Sequence, residues 1–257
     1  MFLVVLLTDF GAKDYFVGVM KGVISRINPL TKVIDLTHDI QPQNVRQAAF
    51  VLWASRKLFP EDSIFVSVVD PGVGSERKVI CGRIDGQIFL APDNGLLDYV
   101  VAEANETEFY EVTNRKFFLS TISSTFHGRD IFAPVSAHLS GGANLNELGN
   151  RFNYRKVTLF YKKIEKGENV GEVVYQDRFG NIFTNFLWDD LLLSGKISVR
   201  INSKVITRFV RSYSEAKGGI PACVQGSSGL VEIAVNLGDA SKTLKSKIGM
   251  KVTLTLK

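Results

Sequence analysis

The run Ile64-Phe65-Val66-Ser67-Val68-Val69, closed by Asp70-Pro71-Gly72-Val73-Gly74, constrains the fold more than any other stretch of the chain. A short apolar run rich in β-branched residues and bounded by Pro and Gly reads as a strand buried on both faces. Pro71 fixes its own φ and biases Asp70 toward an extended backbone. Gly72 and Gly74 let the chain turn sharply or come close to a ligand. A carboxylate therefore stands just past a buried strand, with the Arg77 guanidinium further along the returning chain. In open α/β sheets ligands bind outside the carboxyl ends of strands. Taken alone, the same residues also describe a plain turn with a surface ion pair.

The chain before this loop repeats one pattern. An apolar start, Phe2-Leu3-Val4-Val5-Leu6-Leu7, ends in Thr8-Asp9-Phe10-Gly11, again a carboxylate and a glycine after a strand. Asp14 is placed to cap a helix whose stripe is Phe16, Met20, Val23 and Ile27, stopped by Asn28-Pro29. A strand over 32–36 and a helix over about 43–58 follow. Strand–helix alternation predicts a wound, mostly parallel sheet with helices on both faces. Asp85-Gly86 between two apolar runs predicts a hairpin. Phe126-His127-Gly128-Arg129-Asp130 leads into an apolar helix that Gly141-Gly142 closes.

After about residue 155 the helical period fades into short strand-like runs at 170–175, 197–201, 230–235 and 250–256. The fold class expected is thus α/β over 1–155, plus a smaller all-β, barrel-like domain over 156–257. A chain of 257 residues can bury a sizeable core in either domain. Its net charge of +5 comes without an aromatic-interleaved basic stripe, which argues against a nucleic-acid partner. Cys81 and Cys223 are far apart and form no disulfide framework or zinc spacing, as in a reducing compartment. The apolar start is too short to span a membrane and lacks signal-peptide flanks, so a cytoplasmic protein without membrane association is expected.

Residues able to carry chemistry collect in the loops. Asp9, Asp70, Arg77, His127, Arg129 and Asp130 fall in the first domain. Asp177, Asn181 and Asn185 fall in the second, in a run too polar for a simple strand unless it is a turn followed by an edge strand. Asp9 can accept two hydrogen bonds from a sugar diol. Asn181 can donate to and accept from a purine edge, with Phe179 or Phe183 stacking on its face. His38 and His138 read as structural. No Gly-Lys-Ser/Thr phosphate loop and no Gly-x-Ser-x-Gly elbow occurs.

Thr8-Asp9-Phe10-Gly11, Asp70 to Gly74 with Arg77, Phe126 to Asp130, and Asp177 to Asn185 occur in one order along nearly the whole chain. Together they resemble the S-adenosylmethionine hydroxide adenosyltransferases, the adenosine-forming hydrolases related to the fluorinating and chlorinating enzymes. The resemblance implies attack of water or hydroxide on C5′ of the ribose, with adenosine and methionine released and no metal or other cofactor. It implies a homotrimer with sites between subunits. It also implies that Asp70, Arg77 and His127 handle the water, while Asp9 holds the ribose hydroxyls. Asp177 would meet the methionine ammonium and Asn181 the adenine, with Phe183 nearby. Ser227, Ser228 and Leu237 match the last contact region more loosely. The halogenating relatives lack the Asp and His, and a carboxylate would repel a halide. On this reading His127 accepts the proton, oriented by Asp70, although the residues alone leave Asp70 as the other acceptor. A non-catalytic adenosine or S-adenosylmethionine binder, a halide-using adenosyltransferase and a metal-dependent hydrolase compete with this expectation.

Overall fold

The structure, a computed structural model, describes residues 3–155, 168–193 and 197–256. Phe2, where the first strand was expected to begin, and Lys156, where the second domain was expected to begin, lie outside them. The chain divides into two compact units, Met1–Thr158 and Leu159–Lys257.

The first unit runs β1 (Leu3–Thr8), α1 (Phe16–Ile27), β2 (Lys32–Thr37), α2 (Val45–Arg56), β3 (Ile64–Val68), β4 (Val79–Ile84), β5 (Gln87–Pro92), α3 (Asp98–Ala102) and β6 (Thr107–Glu111). A π-helical turn, Gly128–Phe132, then feeds α4 (Ala133–Ser140), and β7 (Arg151–Phe152) closes the unit. Its strands form one sheet in the order β2-β1-β3-β5-β4-β6-β7. Pairings from β2 to β5 are parallel and those from β5 to β7 antiparallel. The sheet is therefore mixed where a mostly parallel one was expected. The reversal occurs at the Asp85-Gly86 hairpin, where Asp85 and Gly86 both take positive φ.

β1 is buried on both faces. Val4 and Leu6 share a core with Met20 and Ile24 of α1 and Ala133 and Val135 of α4. Val5 and Leu7 point the other way by strand alternation and are equally buried. α1 buries Val17, Met20 and Ile24, sharing only Met20 with the expected stripe, and Phe16, Val23 and Ile27 pack at the margin of the core. Its N-cap is Tyr15 and makes no side-chain cap bond; Asp14 stays exposed rather than capping.

The second unit runs β8 (Glu168–Gln176), β9 (Ile182–Leu187), β10 (Ile197–Ile201), β11 (Lys204–Ile206), β12 (Phe209–Val210), β13 (Ala222–Gln225), β14 (Leu230–Ala234), α5 (Ala240–Leu244) and β15 (Lys251–Leu256). The order is β11-β10-β15-β8-β9-β14-β13-β12, and only β12 and β13 pair in parallel among its described ladders. β9 is an interior strand, not the edge strand its polar residues suggested. Those residues are satisfied by backbone: Thr184 Oγ1 donates to the Val231 carbonyl at 2.8 Å, and Asn185 Oδ1 accepts from the Glu172 amide at 2.7 Å. Buried polar groups so paired cost little.

Candidate active site

The order of the first three strands sets the site. The chain leaves β1 for β2 on one side and then crosses to β3 on the other, so the winding direction reverses between β1 and β3. Thr8 and Val68, the last residues of those strands, are register partners. Asp9 and Asp70 therefore emerge side by side at the switch point, where α/β sheets open a crevice. A cavity of about 400 Å³ lies there, lined by Asp9, Phe10, Gln43, Asp70, Thr125 and His127 among others.

Asp70 follows a pinned backbone: Asn94 Nδ2 donates to the Val69 carbonyl at 2.9 Å. The loop then folds back, with the Val73 amide on the Asp70 carbonyl at 3.3 Å and Ser75 Oγ donating to the Gly72 carbonyl at 2.6 Å. Gly74 is required twice over. Its φ is +78°, and a Cβ there would lie 2.3 Å from the Ser124 carbonyl oxygen. Close approach of these two backbones brings the Asp70 loop against the segment that carries His127.

That segment has its own fixings. Pro134, near the start of α4, has no N–H to give the Asp130 carbonyl, which the Leu119 amide takes instead at 3.0 Å. Asp130, fully buried, accepts from the Ser123 amide at 2.8 Å and pairs with Arg129. His127 sits at the entry to the π-helical turn, a form often found at functional sites. Gly128 follows it because Met20, Phe10 and Phe126 stand 3.2 Å from where a Cβ would be.

Arg77 joins the two loops. Its Nε donates to Asp70 Oδ2 at 2.8 Å, its terminal nitrogen makes a second, short contact with the same oxygen, and that nitrogen also lies 2.8 Å from His127 Nδ1. The pair is nearly dry, with side chains 10% and 5% exposed for Arg77 and Asp70. Arg77 also lies over the Phe132 ring at 5.9 Å. A guanidinium can only donate, so Nδ1 of His127 must accept, and the neutral ring carries its proton on Nε2. Burial, and then the guanidinium itself, hold His127 below the usual imidazole value, against a weaker upward pull from Asp70 and Asp130. The other carboxylate oxygen, Asp70 Oδ1, is buried with no hydrogen-bond partner in the structure.

Asp9 lines the same cavity, and its Oδ2 accepts from the Gln43 amide at 2.7 Å. Gln43 reaches it with a left-handed backbone, φ +64°. Phe10, Phe16 and Phe126 pack ring against ring along one wall. These aromatics, Gln43 and Asn94 were missed in the sequence. Gln43 acts through its backbone amide and Asn94 on a backbone carbonyl, contacts that leave no side-chain pattern to read.

The remaining expected site residues belong to the second unit. Asp177 heads a tight turn: Oδ1 accepts from the Phe179 and Asn181 amides at 2.9 and 2.8 Å, and Oδ2 from Asn181 Nδ2 at 2.8 Å. Gly180 completes the turn with φ +86°, where a Cβ would strike the Asp239 carboxylate. Phe183 meets Tyr175 edge to face at 5.3 Å. Ser227 and Ser228 sit in the turn before β14, with Ser228 Oγ buried and unpartnered. Leu237 is fully exposed at φ +54°. Among the described residues, no group of three or more His, Cys, Asp or Glu could hold a metal ion, and no helix is long and apolar enough to cross a membrane.

Fold and site together define an α/β unit with a crevice at its switch point, Asp70 and His127 lining it and Arg77 joining them, followed by a strand-rich unit. Comparison with known proteins is specific. The family model "SAM hydroxide adenosyltransferase N-terminal domain" matches residues 4–149, and its C-terminal domain counterpart matches residues 171–253. This chain belongs to the SAM hydroxide adenosyltransferase family. The (R)-S-adenosyl-L-methionine hydrolase of Thermus thermophilus is 34% identical, over 98% of both chains. That of Methanocaldococcus jannaschii is 32% identical, over 94% of this chain and 91% of its own. A fluorinase of Actinoplanes sp. is 27% identical over 98% of this chain and 97% of its own. The solved structure of an uncharacterized conserved protein from Thermotoga maritima superposes with a TM-score of 0.90 at 39% identity, over 99% of this chain and all of that one.

Proposed function

We propose that this chain hydrolyses S-adenosylmethionine to adenosine and L-methionine. A water oxygen bonds to C5′ as the C5′–S bond breaks, and the bonding pair goes to sulfur, giving a neutral thioether. The sulfonium needs no general acid, so the protein's task is to place and activate one water in line with that bond. Placement can contribute about 7–11 kcal/mol of the barrier. Base catalysis adds roughly 10²–10⁴-fold.

The observation that carries this reading is the bare, buried oxygen of Asp70 beside an imidazole whose tautomer is set by Arg77. An unpartnered buried acceptor costs about 1–3 kcal/mol, which a donating water offsets. In this proposal Asp70 Oδ1 accepts the water's proton, Arg77 holds the carboxylate in place through Oδ2, and the Nε2–H of His127 orients the oxygen. This differs from the expectation that His127 takes the proton, because its free nitrogen already carries one. Asp9 holds the ribose hydroxyls. Asp177, Asn181, Phe183, Ser227 and Leu237 contact methionine and adenine, in a homotrimer whose native mass of three chains is the check on assembly.

Incubation with S-adenosylmethionine in heavy-oxygen water tests the reading. Label should enter the adenosine 5′-hydroxyl, the rate should ignore a strong chelator, and added halide should form no halogenated nucleoside. Retained ligand without released methionine would favour a binding protein. The relatives' names specify the (R) sulfonium, so both epimers belong in the assay, with the (R) form turned over faster.

A further inference from the structure

A second polar chain leads into the site from behind Asp9. β1 and β2 pair Leu6 with Asp35 and Leu7 with Thr37, so Leu36 is an extra residue and β2 bulges there. Bulges re-aim side chains near active sites. Here His38 Nε2 comes 3.0 Å from Asp35 Oδ1, off the line of a good hydrogen bond, while Lys21 of α1 donates to Asp35 Oδ2 at 2.6 Å. On its other side, His38 Nδ1 lies 2.8 Å from Thr8 Oγ1. Thr8 Oγ1 also accepts from the Phe10 amide at 3.2 Å, and the His38 carbonyl accepts from the Gly11 amide at 2.8 Å.

The donors and acceptors close in one arrangement. With its proton on Nε2, toward the Asp35 carboxylate, the ring leaves Nδ1 to accept from the Thr8 hydroxyl. The hydroxyl oxygen is then the acceptor the Phe10 amide needs. The result ties Thr8 and, through its hydroxyl, the Phe10 amide to the His38 ring on either side of Asp9, while the Gly11 amide is held by the His38 main chain. Although this looks like a nucleophile–base–acid triad, Thr8 is fully buried and does not line the cavity, so its hydroxyl has no route to a substrate.

We infer that His38, through Thr8, is a positioning residue for Asp9: it fixes the strand-end backbone so that the Asp9 carboxylate meets the ribose diol. This rests on the reading of Asp9 given above. The test compares S-adenosylmethionine with its 2′-deoxy analogue for purified Asp9→Asn, Thr8→Val, His38→Leu and His38→Asn. Thr8→Val and His38→Leu should each lower kcat/KM for the ribose substrate roughly 3–10-fold, the worth of about one hydrogen bond, through KM. The same variants should change the deoxy substrate less than about twofold on the same scale. His38→Asn, whose amide can still accept from Thr8, should keep most of the preference. If both substrates fall equally, His38 is only structural and the inference fails. Should Asp9→Asn lower turnover of the ribose and the deoxy substrate equally, the ribose reading falls first and takes this one with it. Thr8→Val, which swaps one hydroxyl for a methyl, carries the test if His38→Leu does not fold.

Discussion

Asp70→Asn should lower kcat by roughly 10²–10⁴-fold, the usual worth of a general base, with KM for S-adenosylmethionine changed less than kcat. The reason is local. Arg77 presents donors to Oδ2, so an amide oxygen settles there and the NH₂ takes the place of Oδ1. An acceptor becomes a donor at almost unchanged shape. Steady-state kinetics check this, and a large rise in KM with kcat intact would sink the assignment. The pH profile provides a second readout. His127 is held below the ordinary imidazole value, so it is neutral at pH 7 and protonates only below about 6.5. Once protonated it can no longer accept from Arg77, and two cations then face each other. kcat/KM should therefore fall as pH drops through that depressed value, and His127→Gln should abolish the corresponding bend.

Arg77→Met should be the most destabilising change at the site, costing on the order of 3–5 kcal/mol, because it strands a buried carboxylate without its partner. Asp70 is only 5% exposed, so solvent cannot take over. The urea midpoint of the folded protein measures the loss. Asp70→Asn combined with Arg77→Met should recover much of it, since neither charge is then left alone, and purely additive losses would argue against the pair. Arg77→Lys should restore stability more than turnover. An ammonium keeps the charge but cannot bridge Asp70 and His127 with one planar fork.

The parts of this molecule legible in the sequence are those that follow from chain direction and side-chain type. Apolar runs ending in Asp9 and Asp70 locate two carboxylates at strand ends, and the winding order then makes them neighbours. The hairpin at Asp85-Gly86 was equally plain, but the antiparallel half of the first sheet that grows from it was not foreseen. His38 was read as structural, and its contact with Thr8 was not visible because the bulge at Leu36 leaves no mark on the hydrophobic period. β9 was obscured because Thr184 and Asn185 spend their polarity on neighbouring backbones, so a central strand reads like a turn. The Asp–Arg–His set was found by motif resemblance, but the tautomer that assigns its roles needed the Arg77–His127 contact.

The grip on Asp9 has an evolutionary consequence. Its donor is the main-chain amide of Gln43, held in a left-handed conformation. Side-chain replacements at that position leave the amide in place, and glycine would relax the twist without removing it. Proline alone would delete the donor, and its ring is locked to the opposite sign of φ. A carboxylate held in this way tolerates change in the letter at position 43 while the contact itself stays constant, so related chains can share it without sharing the residue.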